Sequence, residues 1–554
     1  MNRFLTSVCV LLLAAGSVNA QSAQVKKAAK STFKLTAYDS NGNATSSTCG
    51  VFVTADGEAI GSWSALSSAA SAVVTDFNGK TYPVQKLIGA NEIYDVCRFK
   101  VGTQKAQAAT LAKALMPKDS KLWLVGSEQK KPTAAQYEIE RQETFMDKYG
   151  YYVLAFRDSQ GIPGSAMVNA NGELVGLFQS APSAVDARYA AQLKFDALTI
   201  NNPLYTGSGI RLQLPADKKD AQLMVMFAAD KGDSAKYAGY ISDYISQFPH
   251  DVDGYSMDAL RRVNYGDYAG ADSQMQTALK QATNKAEAHS EYSRVMYQKL
   301  VYSNDSLYND WTLDRAYNEA EKAYKLDAQP AYQHRMAQIL YTKGEYQKAY
   351  DMFDALTKTP ICNSEIFFEA AQCKTQLGAP NEQVLVLLDS CVARCPQPLT
   401  TISAPYILTR GHLRDAMKDY RGALADYNTY DTLMLGRASA DFYYTRYTCE
   451  VNLRQYQQAL NDIAHAAVVA QPDMRPPYLA ELASLQLRVN KLEDAVKTAD
   501  LCLNLDPKST DALVIKGVAL NALKRKAEAI ECLKKAAELG DKRGDEYIKK
   551  YSSK

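Results

Sequence analysis

Two periods of apolar residues divide this chain. Between residue 31 and about residue 205, apolar positions recur every second residue or in short runs. Phe33, Leu35 and Ala37 alternate with polar neighbours, as a half-buried strand requires. Apolar runs follow at Gly50 to Val53, Val73 to Thr75, Leu122 to Val125 and Tyr151 to Phe156. Turn chemistry separates them at Ser40-Asn41-Gly42, Asp56-Gly57, Asn78-Gly79 and Asn171-Gly172. Many short strands with such turns predict a sandwich or barrel. From about residue 216 the period becomes helical and the sequence repeats. Ala423, Ala459, Ala495 and Ala529 head similar segments spaced 36, 36 and 34 residues apart, and Ala271 and Ala349 head further copies. Gly411, Ala483 and Gly517 stand twelve residues before three of these alanines. Small residues at this spacing let two antiparallel helices approach closely. Tyr427, Phe353, Ile463 and Leu533, four residues past the alanine, share its helix face and are predicted core. The pattern predicts eight or nine helical hairpins between 216 and 545, with an irregular one around Asn304 to Asp310.

This phase resembles the tetratricopeptide repeat. The resemblance implies an α-solenoid in which stacked hairpins supply the core that one hairpin cannot bury alone. It also implies a concave groove lined by the first helix of each hairpin. On the aligned segments that lining includes His412, Asp415, Tyr444, Thr448, Asn452, Arg488 and Asn521. Their chemistry is mixed, and no lysine/asparagine clamp for a terminal carboxylate is among them. A short peptide with a free C-terminus is therefore not the favoured ligand. The alternative for each of these residues is an ordinary solvated side chain.

The first half carries a second resemblance. Gly161-Ile162-Pro163-Gly164-Ser165-Ala166-Met167-Val168-Asn169 is similar to the nucleophile loop of a trypsin-like serine protease of the HtrA kind, with Pro163 in the place of the serine. Asn171 to Leu177 resembles the hairpin that follows that serine. Cys49 to Leu66 resembles the segment that ends in the catalytic histidine, and Ser64 falls at that position. Tyr94-Asp95-Val96-Cys97-Arg98-Phe99-Lys100-Val101 resembles the segment of the triad aspartate, leaving Asp95 as the one member of the triad. The resemblance implies a trypsin-like double β-barrel over residues 31–205, followed by the solenoid over 216–545: a multidomain chain, β and then all-α.

The chemistry of the motif does not depend on its alignment. A serine nucleophile needs a base within hydrogen-bond reach, usually an imidazole. The five histidines are His250, His289, His334, His412 and His465, so none lies in the first 249 residues. Proline also lacks the backbone N–H that the nucleophile contributes to the oxyanion hole, a donor whose loss costs about two to three powers of ten in rate. No catalytic residue is therefore assigned, and the domain is expected to be a pseudoprotease. A hydrolase using Ser165 or Ser159 with an unusual base such as a lysine is the alternative.

Composition sets the address. Arg3, the apolar run Leu5 to Ala15 and the small-residue site Val18-Asn19-Ala20 form a signal peptide over residues 1–20, so export is expected, to the periplasm or beyond. No cysteine follows the cleavage site, which argues against a lipid anchor, and no later run suits a membrane span. With 63 basic and 61 acidic residues, the formal net charge of +2 argues against a nucleic-acid partner. Of ten cysteines, nine lie beyond the leader, an odd number. Cys49 with Cys97, Cys373 with Cys391, and Cys391 with Cys395 are candidate pairs, each also explained as small buried apolar residues. No metal-site spacing and no phosphate-binding glycine loop occurs, so no cofactor or metal is expected.

Two modules that bind and no catalytic constellation predict an exported, non-catalytic scaffold or assembly factor with protein or peptide partners in the cell envelope. A signal peptide, trypsin-like domain and repeats together resemble envelope proteins of Bacteroidetes. An active trypsin-like endopeptidase and a periplasmic chaperone with exposed aromatic surface are the alternatives.

Overall fold

The structure, a computed structural model, describes residues 23–128, 131–155, 161–179 and 183–552. The signal-peptide segment, Phe156 and Ser159 lie outside the described residues. Strands β1 (Thr32–Tyr38), β2 (Ala44–Phe52), β3 (Glu58–Gly61), β4 (Ser71–Asp76), β5 (Thr81–Asn91) and β6 (Val96–Val101) close into an antiparallel barrel in the order β1-β2-β3-β6-β5-β4. Strands β7 (Lys121–Glu128), β8 (Lys131–Phe145), β9 (Tyr149–Leu154), β10 (Ala166–Val168), β11 (Leu174–Phe178) and β12 (Ser183–Asp186) close a second, in the order β10-β11-β12-β9-β8-β7. This is the double barrel of trypsin-like domains. The alternation read at β1 holds: Phe33, Leu35 and Ala37 point into the first barrel and are almost fully buried. Leu122, Ile139, Tyr152, Leu154 and Phe178 fill the second. A separate apolar layer joins Val51, Ile60 and Val96 of the first barrel to Val125, Ala166 and Val168 of the second. It fixes the ends of β3, β6 and β10 beside one another.

The helices follow. Among the described residues, nine helix pairs run from Lys218 to Glu538, and Lys542–Ser552 forms one more helix. The chain divides into two compact units, one ending at Asn284 and the other beginning at Lys285. The first unit thus holds both barrels and two helix pairs. Its helices Lys218–Ala229 and Ser234–Gln247 share the first barrel's core: Ala221, Met224, Val225, Tyr240 and Ile241 pack with Leu87, Ile200, Ile210 and Leu212. The change of period near residue 216 therefore marks the change of secondary structure, while the compact unit runs on to Asn284.

In the second unit the repeat alanines are sealed: Ala349, Ala423, Ala459, Ala495 and Ala529 are fully buried. The small partners act as anticipated. A Cβ placed on Gly517 would lie 2.7 Å from the Leu533 side chain, and one on Gly411 would lie 2.9 Å from the Tyr427 ring. Tyr427, Phe353, Ile463 and Leu533 are buried beneath them. The turn between paired helices is also periodic. Gly344, Lys418, Arg454, Asn490 and Lys524, each five residues before a repeat alanine, all have φ between 60° and 81°. This left-handed residue ends the first helix of each pair. The irregular hairpin has its own device. The buried ammonium of Lys299 donates to the carbonyls of Asp305 and Tyr308 at 3.0 and 3.1 Å, over a buried Trp311.

All nine described cysteines are free thiols, so none of the three candidate pairs is joined. Seven of them are buried, which explains those as small apolar residues; Cys395, for example, gives its Sγ hydrogen to the Cys391 carbonyl rather than bonding to its sulfur. No helix among the described residues is long and apolar enough to cross a membrane.

Candidate functional site

The antiparallel register of β3 and β6 sets Gly61 opposite Cys97. Residues just past the end of β3 therefore meet residues just before β6. Asp95 occupies that corner with φ 46°, a left-handed conformation that aspartate tolerates better than most residues. Its carboxylate accepts from the Ser64 backbone N–H at 2.6 Å, the Ser62 hydroxyl at 2.6 Å and the Ser64 hydroxyl at 3.1 Å. The two serine hydroxyls are 2.9 Å apart. Ser64 is exposed, Ser62 is buried, and Asp95 lies between. An aspartate so placed would orient an imidazole in a working triad. Here it holds two serines and the backbone. Ser62 carries one of these bonds and was not singled out in the sequence, where nothing but its distance of two residues from Ser64 hints at the role.

The loop before β10 comes to the same corner. The Pro163 carbonyl accepts from Cys49 N–H at 3.0 Å, and Gly164 lies on the ends of β2 and β3. A Cβ on Gly164 would stand 2.1 Å from the Cys49 carbonyl and 3.4 Å from the Ser62 nitrogen, and its φ is 84°. Only glycine fits there. The Pro163-Gly164 loop thus packs on the strand ends at Cys49 and Ser62, and Ser62 in turn bonds Asp95. The donors of the loop turn inward: Gly164 N–H goes to the Phe178 carbonyl at 2.7 Å and Ser165 N–H to Ile162 at 3.1 Å. Ser165 is 8% exposed, and its hydroxyl donates to the Ile162 carbonyl at 2.7 Å. Cys97, whose Sγ lies 3.4 Å from the Ser62 carbonyl, is fully buried, and burial pushes it well above the ordinary thiol range. Such a thiol is not a reactive one. The first histidine of the chain, His250, pairs its Nδ1 with the Gln281 carbonyl at the end of the helix Tyr268–Gln281.

The predicted groove residues fall on the first helices of successive pairs. Tyr444, Thr448 and Asn452 form one stripe of Ala440–Asn452. Tyr444 stacks near Tyr447 and Tyr478, with ring centroids 5.6 and 5.8 Å away. Tyr447 donates to Glu481 at 2.6 Å and Tyr478 to Asp441 at 2.7 Å, which ties this helix to Arg475–Arg488. The positive charge of Arg488 acts on Tyr447. Tyr444, Thr448 and Asn452 thus share one helix face, and Arg488 ends the next first helix. Thr448 spends its hydroxyl on the Thr445 carbonyl. His412 and Asp415 belong to the preceding pair, on Ala404–Ala416, where both face Tyr427: the rings are 5.8 Å apart and the Tyr427 hydroxyl is 3.4 Å from Asp415. Asn521 sits alone at the end of Thr510–Ala522.

Charge is buried behind this face. Arg446 pairs with Asp462 and Asp431, and Arg410 with Asp426 and Asp389. Glu450, 4% exposed, has an Oε2 without a hydrogen-bond partner. Burial, reinforced by the nearby Asp462, pushes its carboxyl up to about 8. A further concavity, absent from the sequence expectations, opens between Lys285–Tyr302, Pro330–Thr342 and Ser364–Gln376, with a volume of about 460 Å³. Among the described residues, no three His, Cys, Asp or Glu side chains group to hold a metal ion.

No protein-family model matches the chain, and no curated protein matches its sequence.

Proposed function

We propose that this chain is an exported, non-catalytic binding protein, a scaffold or assembly factor of the cell envelope. It combines an HtrA-like protease domain without its triad and a tetratricopeptide-type array. The observation that carries the proposal is the corner at Asp95. The carboxylate that would orient a base is committed to Ser62 and Ser64, and the loop that packs against the same strand ends carries Pro163, which has neither a nucleophile nor an N–H. What remains is a shaped surface without reactive groups. The helical half supports the same reading with a stripe of tyrosines on adjacent first helices, two of whose hydroxyls are anchored by carboxylates. Anchored tyrosines are rigid, amphipathic contact groups suited to a specific partner. That favours a scaffold over a chaperone holding varied unfolded clients.

The test is site-specific photocrosslinking in the native cell. A crosslinker at Tyr444 should trap a discrete set of partners, whereas one at Val468, 70% exposed on a second helix, should not. Equal trapping from both positions, or none from Tyr444, would remove the groove from the proposal.

A further inference from the structure

We propose that the cavity between the helices Lys285–Tyr302, Pro330–Thr342 and Ser364–Gln376 binds an acidic peptide segment by seating a carboxylate on Arg335. The inference rests on the binding-protein reading and adds the chemistry of the partner. Arg335 lines the cavity with Arg294, Tyr297, Gln298, Gln338 and Gln372. Its guanidinium lies 5.4 Å from the centre of the Tyr297 ring, and its Nη1 donates to Gln338 Oε1 at 2.7 Å. No acidic side chain is within ion-pair distance of it among the described residues. That sets it apart from other arginines on first helices of the array: Arg294 is paired with Glu291, Arg410 with Asp426, and Arg446 with Asp462.

The acids of the cavity are disposed so that they do not quench it. Glu369 is bonded to His334 Nε2 through one oxygen and takes Gln338 Nε2 at 2.7 Å through the other. Gln338 therefore accepts from Arg335 and donates to Glu369, a chain that fixes the amide's orientation and holds the guanidinium in place. Glu365, the other acid of the lining, is beyond ion-pair distance of Arg335. Burial lowers the Arg335 guanidinium from its ordinary value, and the attraction of the more distant Glu291 and Glu369 does not reverse it. A guanidinium presents a planar fork that matches a carboxylate with two parallel hydrogen bonds. Gln298 and Gln372, one on each flanking helix, offer amide donors and acceptors to a peptide backbone on either side.

The experiment measures fluorescence anisotropy of labelled octapeptides with the full chain. The probes are alternating Ala-Glu with an amidated end, alternating Ala-Gln with an amidated end, and alternating Ala-Gln with a free carboxylate. The last distinguishes a side-chain carboxylate from a terminal one. At least one carboxylate-bearing probe should bind about tenfold more tightly than the amidated neutral peptide, the worth of one charge-assisted bond. Arg335→Gln should erase that preference and Arg335→Lys should keep part of it. If circular dichroism shows Arg335→Gln to be unfolded, Gln372→Glu decides instead: the added carboxylate should repel the acidic probe and favour an Ala-Lys octapeptide. Equal binding of acidic and neutral probes would overturn the acidic preference and leave the binding-protein reading intact. A preference that survives Arg335→Gln, or no binding of any probe, would also overturn the inference.

Discussion

Asp95 is the residue on which the first half turns, and its role is structural support of a corner. Its carboxylate receives three hydrogen bonds across the β3–β6 end. Removing it leaves a backbone N–H and a buried hydroxyl without their acceptor. Asp95→Ala should therefore destabilise the full chain by about 1–3 kcal/mol in denaturant unfolding, whereas Asp95→Asn, which keeps an acceptor oxygen, should lose less. Equal losses would mean that the hydrogen bonds are not the cause. Glu450 makes a second prediction at this scale. Its folded carboxyl is raised from 4.5 to about 8. Between these values the folded state holds a proton that the unfolded chain has released, so the stability it contributes is full below pH 4.5 and is lost as pH rises through about 8. Glu450→Gln should remain stable where the parent weakens, so the difference in melting temperature should grow in the variant's favour from pH 5 to pH 8.5. A constant difference would contradict the buried carboxyl as the cause. Ser64, Asp95 and Pro163 were legible because each sits in a strand-and-turn motif. Ser62 was not: its bond to Asp95 depends on the register Gly61↔Cys97, which no linear pattern encodes.

The helix pair is an element whose design was largely legible. Helices in close contact need small residues at fixed spacing, and Gly411, Ala483, Gly517 and the repeat alanines supply them. Ala459→Leu should overpack a fully buried contact and cost about 1–3 kcal/mol, while Tyr444→Ala, 39% exposed, should cost much less. Comparable losses in thermal unfolding would contradict the packing phase. The left-handed residue before each second helix was not foreseen, because lysine, arginine and asparagine share that position with glycine. Its conformation makes a sharp contrast testable. Gly344→Ala should cost about 1 kcal/mol, since the added Cβ meets a backbone that disfavours it, whereas Lys524→Gly should be close to neutral. The cavity around Arg335 was hidden for a different reason. The repeat alignment was strongest in the later segments, and the lack of a counter-charge is a property of space.

At the scale of the whole chain, the change of period located the helices but not the edge of the first compact unit. An amphipathic helix advertises an apolar face without saying what covers it. Ala221, Met224, Val225 and Tyr240 are covered by the first barrel. A fragment beginning at residue 214 would expose them, while one beginning at Lys285 keeps to a unit with its own cores. The 285–554 fragment should therefore be monodisperse and helical, and the 214–554 fragment should protect its first two helices poorly in hydrogen exchange. Strong protection there would mean that those helices do not need the barrel. At this scale the proposal is chemical: we propose that a double barrel with a protease's layout serves binding and not hydrolysis. Labelling of the full chain with a fluorophosphonate probe, read by mass spectrometry, tests it most directly. No adduct is expected at any serine, including Ser165 and Ser159. An adduct on one of them that disappears on its mutation to alanine would contradict the non-catalytic proposal and restore the endopeptidase.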